Sequence, residues 1–167
     1  MSTAIDASVV IAWQNPDDVF HARATQMIGH ATPPLHLHQL NLAEVLVGLD
    51  RSEWEDLMGA LTEMGFDLVN TTGVEVAAAR LDGGLRMPDA CVLATAKATG
   101  ATTLLTFDQR LAAAAAKAGL ATDAPAEPAR IGFVKDQLAR FESPQDSDSS
   151  TAEDAADLVE GDPGPGS

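Results

Sequence analysis

The chain has 167 residues, 46% of them hydrophobic and only 4% aromatic, with a formal net charge of −15 at pH 7. Length and apolar content suit one folded domain with a real core and exclude a wholly disordered chain. The charge counts against a simple DNA-binding module, because a negative surface repels polyanions at long range.

No apolar run reaches the ~20 residues that span a bilayer. Residues 1–13 lack a basic flank and carry Asp6 where a signal peptide would be apolar. A soluble, cytoplasmic protein is expected. The single Cys91 allows neither an internal disulfide nor a cysteine zinc cluster.

In chain order, residues 3–12 (TAIDASVVIA) read as a buried strand that ends near Asp6 and runs into a helix. Pro16, Asp17 and Asp18 resemble a helix start, with the helix running to Ile28 and Gly29 as its stop. A short strand is expected over 35–38, then helices over 41–49 and 53–64, the second ended by Gly65. A strand over 66–70 precedes a helix over 74–81 that Gly83 and Gly84 break. Pro88 opens a helix through Ala98, closed by Gly100; a β-branched strand over 102–107 and an Ala-rich helix over 109–118 follow. This alternation predicts an α/β fold with a parallel sheet.

The folded domain is expected to occupy residues 1–124. Pro125 and Pro128 mark a linker, and 131–141 has the pattern of one more amphipathic helix. Residues 142–167, rich in Ser, Asp, Pro and Gly, read as a disordered tail. Residues 1–140 hold 17 acidic and 10 basic side chains, whereas 141–167 hold eight acids and no Lys or Arg, so more than half the net charge falls in the tail.

Four acids, Asp6, Glu44, Asp89 and Asp108, each lie at the edge of an apolar segment: IDASVVIAW, LNLAEVLVGL, MPDACVLATA and TLLTFDQRL. Functional groups in a parallel α/β sheet gather outside the carboxyl ends of the strands. Asp6 closes the first strand and Asp108 follows a late one, while Glu44 and Asp89 are expected in or near first turns of helices. Converging carboxylates repel unless a cation sits among them, and an all-oxygen pocket suits Mg²⁺ or Mn²⁺.

Each acid also has a plain structural reading. Glu44 with Asn41 fits a capping box, Asp89 an early-helix acid after Pro88, and Asp108 an N-cap. Asp6 is hardest to explain that way, since an unpaired buried carboxylate costs several kcal/mol. Ser8 and Thr106, two residues from Asp6 and Asp108, are placed to orient a carboxylate. Arg86, Lys97 and Arg110 lie on or beside the flanking helices and are candidates to meet substrate phosphates. His36 and His38 would share one strand face, but no third ligand at a telling spacing completes a zinc site.

The segments IDASVVIAW, NLAEVL, LRMPDACVLATAKATGATTLLTFDQRL and AKAGL together resemble the PIN-domain family, specifically its VapC-type toxins, over about residues 3–122. The resemblance implies a three-layer α/β/α sandwich around a short, mainly parallel sheet. It implies that Asp6, Glu44, Asp89 and Asp108 bind one or two Mg²⁺ or Mn²⁺ ions, and that Thr106 is the polar residue preceding the last acid. It further implies an endoribonuclease, homodimeric, restrained by a cognate VapB-like antitoxin. The alternative reading is a catalytically quiet acidic module on the same fold that recruits a basic protein. A phosphoacceptor domain of the response-regulator type expects a Lys at the end of a late strand, whereas Lys97 and Lys117 fall within helices.

Overall fold

The structure, a computed structural model, describes residues 1–123. Five short strands form one sheet: β1 (Thr3–Ile5), β2 (Leu35–His38), β3 (Phe66–Val69), β4 (Thr103–Leu105) and β5 (Ala121–Thr122). Their spatial order is β3-β2-β1-β4-β5, and every neighbouring pair is parallel. Chain order reverses at β1, so β1 and β4 lie side by side at the switch point where such sheets open a crevice.

Alternate residues of a strand face opposite sides of a sheet, and here each side has its own core. Ile5, Leu35, Leu37 and Leu105 join one apolar cluster with Val9, Val10, Leu42, Val45, Leu57 and Leu61. Those partners come from α1 (Ala7–Gln14), α3 (Gln39–Val47) and α4 (Trp54–Glu63), and α2 (His21–His30) adds Ala24, Met27 and Ile28. Ala4 and Leu104 face the second cluster, built from α5 (Gly73–Gly83), α6 (Met87–Thr99) and α7 (Gln109–Lys117). The result is the expected three-layer α/β/α sandwich.

Helix α6 is the central piece of the second layer. Its residues from Ala90 to Ala96 are all buried, as for a helix enclosed on every side. Pro88 sits in its first turn, and Gly100 ends it with φ of 66°, a left-handed conformation that glycine adopts without a Cβ penalty. Helix α5 is held at its start by a reciprocal capping box between Thr72 and Glu75.

The sequence pattern and the structure part at several ends. Helix α2 begins at His21 rather than at Pro16. The side chains of Asn15 and Asp18 accept from the backbone N–H of Asp17 (3.1 Å) and Phe20 (2.7 Å), forming local turns instead of a first helical turn. Gly29 lies inside α2, which continues to His30. Helix α3 starts at Gln39, two residues early, because His38 caps it. Strand β5, with only two residues, has no sequence signature. The linker, the amphipathic segment 131–141 and the tail 142–167 lie outside the described residues.

Candidate functional site

Asp6 is 6% exposed and stands at the N-cap position of α1, yet its side chain makes no cap hydrogen bond. The carboxylate is engaged elsewhere. Thr106 Oγ1 donates to Asp6 Oδ2 at 2.9 Å, and Ser8 Oγ donates to the same oxygen at 2.5 Å. Both hydroxyls are themselves anchored: Asp108 N–H donates to Thr106 Oγ1 at 2.9 Å, and Phe107 N–H donates to Ser8 Oγ at 3.2 Å. Asp6 N–H also donates to Leu105 O at 3.0 Å. The β1–α1 and β4–α7 turns are thereby stitched across the switch point, and Ser8 and Thr106 both hold one oxygen of Asp6.

Asp108 caps α7, its Oδ1 accepting from Leu111 N–H at 2.9 Å. Its structural role is therefore real. Asp89 lies in the first turn of α6. Burial, followed by the negative charges of Asp108 and Asp6, pushes its pKa up to about 6, against the opposing pull of Arg110 and Arg86.

Glu44 lies in the second turn of α3 rather than in the first, so no helix end supports it and the capping box with Asn41 does not form. Instead Asn41 Nδ2 donates to Glu44 Oε2 at 3.1 Å. Glu44 reaches solvent, but the protein packed around it raises its pKa; the charges of Asp6 and Asp89 add to that rise, and the Asn41 hydrogen bond opposes it.

Four carboxylates from four different elements are thus electrostatic neighbours: Asp89 feels Asp108 and Asp6, and Glu44 feels Asp6 and Asp89. Among the described residues, no group of three or more His, Cys, Asp or Glu side chains is placed to hold a metal ion. An open set of oxygens fits Mg²⁺ better than a soft metal, because Mg²⁺ keeps several waters and takes only one or two carboxylates directly.

The cations divide. Arg86 occupies the N-cap position of α6, and Arg110 Nη2 donates to Gly84 O at 3.2 Å; both bear on Asp89. Lys97 belongs to the far end of α6, where Nζ pairs with Asp82 Oδ2 at 3.1 Å. Eight residues of helix, ~12 Å of rise, separate it from Asp89.

His36 and His38 make no zinc pair. His38 Nδ1 accepts from Leu40 N–H and Nε2 meets Thr71 Oγ1, both at 3.1 Å. Cys91 is buried, with its thiol pKa raised by burial and then by Glu44. Asn41, expected from the sequence only as a cap, is fully buried, and among the described residues its Oδ1 accepts no hydrogen bond, a loss of roughly 1–3 kcal/mol for a buried acceptor. Its spacing of three from Glu44 was the available signal.

A parallel three-layer sandwich with four neighbouring carboxylates about its switch point defines the class. The PIN domain family profile matches residues 3–117, a span that includes all four acids, and the chain belongs to that family. A search of curated proteins finds no match.

Among solved structures, it is similar to a chain of a toxin–antitoxin complex from Klebsiella pneumoniae, at 21% identity and a TM-score of 0.58, covering 77% of this chain and 100% of that one. It is also similar to Mycobacterium tuberculosis VapC20, described as a sarcin-ricin loop cleaving toxin, at 19% identity and a TM-score of 0.57, covering 74% and 100% respectively. At these identities the likeness shows a shared fold. Among the described residues, no helix is long and apolar enough to cross a membrane.

Proposed function

We propose that this chain is a Mg²⁺- or Mn²⁺-dependent endoribonuclease and the toxin member of a VapBC-type toxin–antitoxin pair. The observation that carries the reading is the mutual electrostatic coupling of Asp6, Glu44, Asp89 and Asp108 at the switch point. Four anions brought together from the β1–α1 turn, α3, α6 and the β4–α7 turn are costly to the fold, and a cation would remove that cost.

Asp6 and Asp89 would be the main ligands, with Glu44 and Asp108 holding a second ion or orienting water. When bound, the divalent ion would make water acidic enough to attack a phosphodiester and offset charge on the phosphate. The chain's own residues prepare that chemistry. Ser8 and Thr106 fix one oxygen of Asp6 and so direct the other. Arg86 and Arg110 stand beside Asp89 and are the side chains placed to meet a substrate phosphate. Lys97, paired with Asp82, is not part of this set.

Membership of the PIN family and likeness to a chain of a toxin–antitoxin complex support both the RNA substrate and a cognate antitoxin. Exposed apolar side chains on α5, Val74 and Leu81, lie about two turns apart and supply surface that a partner or a second copy would cover.

The test is cleavage of total RNA by the wild-type protein and Asp6→Asn, each with Mn²⁺ and with chelator, with the fragment ends mapped. The amide keeps the shape and can still accept from Ser8 and Thr106, so the fold should persist while cleavage disappears. Cleavage that survives both the substitution and chelation would refute the proposal.

A further inference from the structure

Asn41 is not explained by the core that surrounds it. It has no accessible surface and sits on the inward side of α3 beside Leu42 and Val45, where an apolar residue would be expected. Of its two polar atoms, Nδ2 donates to Glu44 Oε2, and Oδ1 accepts nothing among the described residues. A side chain chosen to fill this space would not bring an unpaired acceptor with it. Among the described residues its side-chain partner is Glu44, the one acid of the four that no helix N-terminus and no hydroxyl holds: Asp6 has Ser8 and Thr106, Asp108 has Leu111 N–H, and Asp89 sits in a helix first turn.

From this burial and this hydrogen bond, we infer that Asn41 is a positioning residue that holds the Glu44 carboxylate toward the crevice and so sets the affinity of the site for its divalent ion. The inference rests on the proposed metal-dependent reading. A buried amide is a suitable holder. It is rigidly packed, it donates without carrying a charge that would compete with the cation, and it favours the ionised form of the acid it touches. Being one turn from Glu44 on the same helix, it controls the side chain without depending on any loop.

The experiment is Mn²⁺ titration of the full chain, read by calorimetry and by shift of the melting temperature, for wild type, Asn41→Leu, Glu44→Gln and the double variant. Leucine is close in size and removes both polar atoms. The expected result is an Asn41→Leu protein that melts, without metal, at or above the wild-type temperature but binds Mn²⁺ about 10–100-fold more weakly, the usual effect of removing such an orienting partner. In the Glu44→Gln background, Asn41→Leu should change Mn²⁺ affinity no further, because the amide acts through that carboxylate.

Unchanged Mn²⁺ affinity in Asn41→Leu, or an equal loss in both backgrounds, would overturn the inference. If leucine prevents folding, Asn41→Ala in the same four-protein cycle gives the same readout, with the same two outcomes deciding. Failure of the underlying metal reading looks different: wild type itself would then show no saturable Mn²⁺ binding.

Discussion

Asp89 offers the most direct physical test of the crowded acids, because it requires no substrate. Its carboxyl is raised from 3.8 to about 6 by burial and by Asp108 and Asp6. A folded-state pKa above the unfolded value means that the fold favours the protonated acid. The resulting stability is fully present below pH 3.8 and is lost as pH rises through 6. Roughly two pKa units at 1.36 kcal/mol each set an upper bound of about 3 kcal/mol. Asp89 is partly open to solvent, so screening reduces this, and about 1 kcal/mol is the realistic share.

Asp89→Asn removes the ionisation. With chelator present, the variant should match wild type near pH 4 and melt about 2–4 °C higher at pH 7.5, given the response expected for a chain of this size. Taking the difference between two proteins at each pH cancels the general effect of the −15 net charge. A difference that is flat from pH 4 to 7.5, or a variant less stable than wild type at the higher pH, would refute the claim that Asp89 is held at a cost. Under the proposed function, Mn²⁺ at pH 7.5 should stabilise wild type more than the variant.

Thr106 has no accessible surface, donates to Asp6 and accepts from Asp108 N–H. Thr106→Val should therefore destabilise by about 1–3 kcal/mol in denaturant melts, whereas Thr106→Ser, which keeps the hydroxyl, should recover most of that loss; equal losses would show that shape rather than hydrogen bonding matters. His38 caps α3 through a neutral Nδ1, and burial lowers its pKa below 6.5. A base with a lowered folded pKa contributes stability above 6.5 that disappears as pH falls through the folded value. Losing the cap in His38→Leu should cost about 1 kcal/mol at pH 8 and less at pH 5; a cost that grows on acidification would contradict the capping role.

The layered fold was legible because its signals are local. Glycines at 65, 84, 100 and 119 with positive φ punctuate the chain where helices or turns end, and short, mostly apolar stretches opened by Thr mark β1 and β4. The neighbouring placement of β1 and β4, on which the site depends, follows from topology rather than from either strand alone. Asp6 stood out because no cation and no cap near it in sequence could account for a buried carboxylate; its hydroxyl partners are Ser8, two residues on, and Thr106, 100 residues away.

What was misread involved side chains competing for backbone groups. Asn15 and Asp18 close turns where acids and a proline promised a helix start. His38 took the cap that the pattern had assigned to Asn41, and that freed Asn41 for Glu44. A histidine cap is invisible to a rule that looks for Ser, Thr, Asp or Asn.

The distribution of cations bears on how an acidic domain could meet a polyanion at all. Residues 1–123 carry 15 acidic and 7 basic side chains. Lys97 and Lys117 both turn to Asp82, Arg23 pairs with Asp123, and Arg51 lies over the Trp54 ring. Arg86 and Arg110 lie near Asp89, where they offset part of its charge. Two guanidinium groups against four carboxylates leave the crevice negative. Under the proposed function, RNA binding at this edge of the sheet would require the sign of the local field to change, which a divalent ion bound among the acids would accomplish and surface lysines would not. The same carboxylates that make the crevice repulsive to phosphate would then make it selective, admitting the backbone only when the ion is present.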